Sequence, residues 1–374
     1  MEQQKQREVK SLDDAKPLVT VVGLMSGTSL DGVDAAIIRT DGREVIEPLG
    51  FATLPYDAAF RQRLRSCLGG KQTEQIPEIE QDLTDLHAKA VRHLLDQMKL
   101  DTSDIDLVGF HGHTLAHDPA HRFTWQIGDG DRLAADLNLA VVNQFRQHDV
   151  AAGGQGAPLV PLYHQARLGK QGRPAAILNI GGVANVTWLG LGERDIMGFD
   201  SGPGGALLDD WVMRHTGMPF DRNGQLARQG KIHHDQLNTW LDQPYFHRAP
   251  PKSLDRDELH TPGLESLSPE DGAATLTAFS ARAIGRCLSH LPQRPSALYV
   301  TGGGRHNAYM AEMISTACDM PVAAVETLGW NGDALEAEAF AWMAVRSVNH
   351  LPLSVPETTG VPEPMTGGVI HMAA

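Results

Sequence analysis

A chain of 374 residues is longer than a single hydrophobic core usually serves, so about two domains are expected. With 41% hydrophobic and 21% charged residues it reads as a globular protein, and no apolar run reaches the roughly 18 residues that span a bilayer. The formal net charge of -14 argues against nucleic acid as a partner, and it obliges any anionic substrate to meet a locally positive site or a metal.

Residues 1–17 are polar and charged, lack the apolar centre of a leader, and are expected to form a disordered tail. Next comes Gly23-Leu-Met-Ser-Gly-Thr-Ser-Leu-Asp-Gly-Val-Asp34, flanked by Leu18, Val19, Val21 and Val22 before it and Ala35 to Ile38 after it. The pattern predicts strand, tight polar turn, strand. A turn with so little side-chain bulk lets backbone N–H groups close on an anion, with Ser26, Thr28 and Ser29 as added donors. Asp31 and Asp34 suit such a turn if a divalent cation, or water on one, lies between them and phosphate. A plain glycine-rich hairpin is the other reading of this run taken alone.

Helices are predicted over 61–68 and 76–99, the second from Leu83, Leu86, Ala90, Leu94 and Leu95 at helical spacing. A strand over 106–110 ends in His111-Gly112-His113-Thr114, and another covers 139–142. Residues 151–161 are rich in Gly and Pro and read as a domain crossover. Strands over 175–180 and 183–189, joined by Gly181-Gly182, repeat the opening plan, as a duplicated α/β unit would. Helices are predicted over 207–215 and 273–288, and a strand over 298–300 runs into Thr301-Gly302-Gly303-Gly304. A helix over 333–348 has Asp333 as its N-cap and Glu336 in its first turn. Residues 244–269 are read as a long surface loop. Cys67, Cys287 and Cys318 are scattered without a CxxC pair, which fits a reducing cytoplasm.

Gly23–Asp34, Ala152-Gly-Gly-Gln-Gly-Ala-Pro-Leu-Val-Pro161, Leu178-Asn-Ile-Gly-Gly-Val-Ala-Asn185, Gly198-Phe-Asp-Ser-Gly-Pro-Gly204 and Thr301–Gly304, in that order, resemble the bacterial anhydro-N-acetylmuramic acid kinases over 19–368. The resemblance implies a two-lobed α/β fold of the actin-like ATPase type, with duplicated ribonuclease-H-like halves around a central cleft. On that basis 18–148 plus 350–374 form one lobe and 149–349 the other. It also implies a coupled reaction. Water opens the 1,6-anhydro bridge, and the freed O6 takes the γ-phosphate of ATP to give N-acetylmuramic acid 6-phosphate in peptidoglycan recycling. Mg²⁺ is the implied metal, and a cytoplasmic homodimer with no membrane or nucleic-acid partner is the implied setting.

The implied catalytic residues are Asp200, as the base that activates water, and Glu336 in support. Locally, Asp200 also reads as a turn aspartate capping the helix from Leu207, and Glu336 as an ordinary first-turn acid. ATP is assigned to Gly27, Thr28, Ser29, Leu30, Asp31, Gly32, Val33, Asp34, Gly181, Gly182, Gly202, Gly204, Gly302, Gly303 and Gly304, with Asp31 also on the metal side. The sugar is assigned to His111, His113, Arg146 and Gln155. The chain departs from the family pattern at Gln144, at Gly205 and over 254–257. Two other functions fit parts of the sequence. His111-Gly-His113 at a strand end is how metal-dependent amidohydrolases hold two ligands, though no second cluster supports it. A sugar sensor, or a sugar kinase of altered specificity on the same scaffold, is the third reading.

Overall fold

The computed structural model describes residues 18–27, 29–70, 73–255 and 258–373. Thr28, the tail and Arg256-Asp257 lie outside the described residues. The first sheet opens with an antiparallel meander of β1 (Val19–Ser26), β2 (Gly32–Thr40) and β3 (Ile46–Pro55). β4 (Leu107–Asp118) then lies parallel to β1, β5 (Phe123–Ile127) folds back on β4, and β6 (Val141–Asn143) lies parallel to β4. The second sheet repeats this plan. β7 (Ala175–Ile180), β8 (Val183–Leu189) and β9 (Ile196–Pro203) form the meander, and β10 (Ala297–Thr301) and β11 (Val322–Ala324) add in parallel. The shared order is β3-β2-β1-β4-β6 in one half and β9-β8-β7-β10-β11 in the other. The two expected hairpins are thus the openings of one duplicated five-strand unit. A last strand, β12 (Val369–His371), extends the first sheet beyond β6.

Helices α1 (Ala58–Ser66), α2 (Ile76–Met98) and α3 (Gly130–Leu137) belong to the first half. α4 (Gln147–Ala151) and α5 (Pro161–Leu168) lead out of it. α6 (Ala206–Thr216), α7 (His234–Leu241), α8 (Pro244–His247), α9 (Pro269–Cys287) and α10 (Ala308–Cys318) serve the second half, with α9 at the centre of its core. α11 (Leu335–Val348) and the short α12 (Pro356–Thr359) close the chain.

The two halves exchange a helix. α5 follows the first sheet in sequence yet packs on β8 and β9, whereas α11 follows the second sheet yet packs across β1, β2 and β4. The seat of α11 is made by two glycines, Gly23 and Gly109, paired in the β1–β4 register. A Cβ at Gly23 would lie 1.8 Å from the Ala337 carbonyl oxygen, and one at Gly109 would lie 2.2 Å from that of Phe340. Ala337, Ala341 and Ala344 supply the small surface on the helix side. This contact delivers Glu336, in the first turn of α11, to the carboxyl ends of both central strands.

Several expectations need correction. β3, β5, α3 and α10 were not foreseen. Residues 198–204, expected as a loop, lie almost wholly in β9, because pairing with β8 and burial outweigh the weak strand preference of Gly, Ser and Asp. β4 continues through His111 to Asp118, with Gly112 at φ +73° absorbing a register shift against β1. Asp333 does not cap α11: Ala334 takes that place, and the Asp333 carboxylate pairs with Arg305 at 2.7 Å. The described residues of 244–269 are no surface loop. They contain α8, and Tyr245, Lys252, Ser253 and Leu254 are buried. The three cysteines are buried and unpaired, and among the described residues no helix is long and apolar enough to cross a membrane.

Candidate active site

Asp200 sits in β9 with 6% of its surface exposed. Its Oδ2 accepts the Leu254 N–H at 2.8 Å, and its backbone N–H donates to the Lys252 carbonyl at 3.0 Å. Tyr245 donates its hydroxyl to the Asp200 carbonyl. Burial pushes the Asp200 carboxyl up to about 7, against the Leu254 N–H, Arg146 and Lys252, which pull it down. A carboxylate titrating near neutrality is matched to taking a proton from water.

Arg146 lies at the start of α4 and is held from two sides. Its Nη1 donates to the Gly156 carbonyl at 2.7 Å, and Nη2 and Nε donate to His111 Nε2 at 3.1 and 3.2 Å. His111 Nδ1 faces the Gly112 carbonyl at 2.9 Å, so it must carry the ring proton and leave Nε2 as acceptor. Burial and the Arg146 charge keep His111 neutral. Both of its nitrogens are therefore in use, and the His-x-His metal pair loses its first ligand. His113, fully buried, meets Ser26 Oγ through Nδ1 at 2.9 Å, and Ser26 meets Tyr56 Oη at 2.6 Å. Arg146 interacts electrostatically with Glu336 on α11, Asp200 on β9 and Asp149 on α4, which places it among acids brought together by three different elements. Glu336 accepts from Asn179 Nδ2 at 3.2 Å, and burial raises its carboxyl while Arg146 lowers it.

The glycine loops divide into two kinds. At Gly303 an added Cβ would meet nothing within 4 Å, at Gly27 its nearest neighbour is Ser29 Oγ at 3.4 Å, and at Gly181 it is a carbonyl at 3.5 Å. These three leave room for a ligand to approach the backbone. Gly302 and Gly304 instead press on Asn179 and Ile180, Gly202 on Ala283 and Phe246, and Gly204 on the Gly181 carbonyl. Gly182 serves as acceptor for the N–H of Gly204. Arg305, missed in the sequence, fastens the triple glycine: it donates to the Gly302 carbonyl at 3.0 Å while paired with Glu326 and Asp333.

At the β1–β2 turn, Ser29 Oγ and the Gly32 N–H both donate to Asp31 Oδ1, and among the described residues Oδ2 has no hydrogen-bond donor. Leu30, at φ +59°, and Val33 turn their side chains into the core. Asp34 accepts from Thr53 Oγ1 at 2.6 Å. Burial raises the Asp34 carboxyl to about 7, with repulsion from Asp31, Glu336 and Asp333 adding to it. No group of three or more ligating side chains able to hold a metal is formed among the described residues. An acidic edge with open glycine backbone beside it fits Mg²⁺ carried in with phosphate oxygens and water, the usual manner for that ion.

The Asp34 shift has a testable sign. Between pH 4 and 7 the folded state keeps a proton that the unfolded state has lost, so stability falls as pH rises through that window. Asp34→Asn should raise the unfolding free energy at pH 8 by about 1–3 kcal/mol, below the roughly 4 kcal/mol that a three-unit shift allows, and change it little at pH 4. Urea melts at the two pH values check this. An equal change at both would show that Asp34 is not carrying a buried charge.

Gln155, assigned to the sugar, points its Oε1 at Ser253. The hold of Lys252 and Leu254 on Asp200 was missed because it runs through backbone groups, which side-chain pattern does not reveal, and the Tyr245 hydroxyl reaches Asp200 only through the fold.

Two ribonuclease-H-like halves, glycine loops at the carboxyl ends of their central strands, and an acid contributed by each of two sheets define the two-lobed, actin-like class. The family model of anhydro-N-acetylmuramic acid kinase matches residues 19–373. The anhydro-N-acetylmuramic acid kinase of Rhizorhabdus wittichii is 49% identical over 357 residues, covering 94% of this chain and 98% of its own. Those of Zymomonas mobilis and Paramagnetospirillum magneticum are 48% and 50% identical, each over 94% of this chain and 99% of its own. The chain belongs to the anhydro-N-acetylmuramic acid kinase family.

Proposed function

We propose that this protein phosphorylates 1,6-anhydro-N-acetylmuramic acid with ATP while water opens the anhydro bridge, in the cytoplasmic recycling of peptidoglycan. The observation that carries the reading is Asp200: a buried carboxylate raised to about 7, with one oxygen fixed by the Leu254 N–H and no partner for the other among the described residues. Asp200 takes a proton from water as its oxygen bonds to the anomeric carbon. The bond from that carbon to O6 breaks, and its electron pair stays on O6. O6 then attacks the γ-phosphorus, and ADP leaves.

Arg146 faces both Asp200 and Glu336 and favours their ionised forms, with Glu336 supporting the water. The open backbone at Gly27, Gly181 and Gly303 suits the nucleotide. Asp31, with Asp34 and Glu336 near it, would hold Mg²⁺, whose charge would offset that of the phosphoryl oxygens. Because α11 packs on the first sheet, the hinge is placed at the crossover before α5 and at the residues that lead into α11. As in the family, the assembly is a homodimer with no nucleic-acid partner. The departure at Leu254 leaves the key bond in place, because it is made by the backbone N–H.

Turnover in ¹⁸O-water with rapid quenching tests the chemistry. Label is expected on the anomeric oxygen of the product, formed at the rate of ADP, with none in phosphate. If ADP forms only with open amino sugars and the anhydro sugar is inert, the substrate assignment fails and the reading of altered specificity replaces it.

A further inference from the structure

The Gln155 Oε1 accepts both the backbone N–H and the hydroxyl of Ser253, each at 3.1 Å. A backbone N–H can only donate, so it is the amide oxygen that faces Ser253. Ser253 lies between the two residues that grip Asp200: Lys252 accepts from its N–H and Leu254 donates to its carboxylate. Gln155 is itself anchored on the opposite side. Its N–H donates to the Thr359 carbonyl at 2.6 Å, and its carbonyl accepts from His117 Nε2 at 2.8 Å. Asp149 fixes the same loop through the Gly156 N–H and the Thr359 hydroxyl, both at 2.6 Å. His117 stands on β4 and Asp149 on α4, beside His111 and Arg146, while Thr359 belongs to α12, which packs on β9, so the clasp reaches from β4 across to the Asp200 strand.

We propose that Gln155 is a positioning residue: by clasping Ser253 from the crossover loop, it sets the aim of the Asp200 carboxylate relative to the first sheet. The proposal rests on the kinase reading above. It differs from a sugar-binding role because the Gln155 oxygen is already committed to protein.

Gln155→Met keeps length and bulk while removing the acceptor. Its kcat is expected to fall about tenfold or more, with the sugar KM within about threefold, as for loss of a well-placed catalytic base rather than of binding. The Asp200 titration is read without turnover, from the pH dependence of unfolding free energy with and without Asp200→Asn. The groups facing Asp200 are Arg146, Lys252 and Tyr245, all unchanged in the variant. Loosening the Leu254 N–H should therefore move the Asp200 titration upward by about half a unit or more. Ser253→Ala, which drops one of the two donors, should shift it the same way by less, and the pair should be less than additive. A tenfold rise in sugar KM with the titration unmoved would make Gln155 a sugar ligand and overturn the proposal, as would no change in either. Should the wild type not turn over the anhydro sugar, the kinase reading fails, while the titration still decides the role of Gln155.

Discussion

Asp200→Asn is expected to lower kcat by about 10²-fold or more while leaving ATP affinity unchanged, since it removes the base and nothing in the glycine loops. Wild-type kcat should fall on the acid side with a midpoint near 7, where burial places this carboxyl. The substitution should also stabilise the ligand-free protein at pH 8. The folded-state proton is held up to about 7 against an ordinary 3.8, so the ionised form above that pH costs folding energy that Asn does not. The same residue thus opposes stability and serves chemistry, a common bargain at active sites. Steady-state kinetics, nucleotide calorimetry and urea melts at pH 5 and 8 read the three effects. Near-wild-type turnover would remove Asp200 from the mechanism.

The second large effect is structural. Gly109→Ala should destabilise the protein by about 3 kcal/mol, because its Cβ meets the carbonyl of Phe340, which belongs to helix backbone and has no rotamer to escape into. α11 must lift, and Glu336 moves with it. The variant is therefore expected to lose activity beyond its loss of folded population, measured at a temperature where it remains folded. Gly303→Ala is the control for a glycine with open surroundings, and should leave the unfolding free energy within about 0.5 kcal/mol. Equal destabilisation by the two would show that the α11 seat is not special.

The sequence by itself determined the duplicated plan and the glycine turns, which are local signals: apolar runs interrupted by glycine. It put Asp31 and Asp34 in the first of those turns, whereas Asp200 and Glu336 stood out only through the resemblance to the family. It also held the family motifs in order from Gly23 to Gly304. What only the tertiary structure decided is how those pieces meet. The exchange of α5 and α11 between halves, and the Gly23–Gly109 seat, depend on residues far apart in sequence closing on one another. The grip of Lys252 and Leu254 on Asp200 runs largely through backbone N–H and C=O groups, which every residue but proline carries alike. The titration of Asp200 near 7 comes mainly from burial, and burial is a property of the packed chain rather than of Asp200 and its neighbours in sequence.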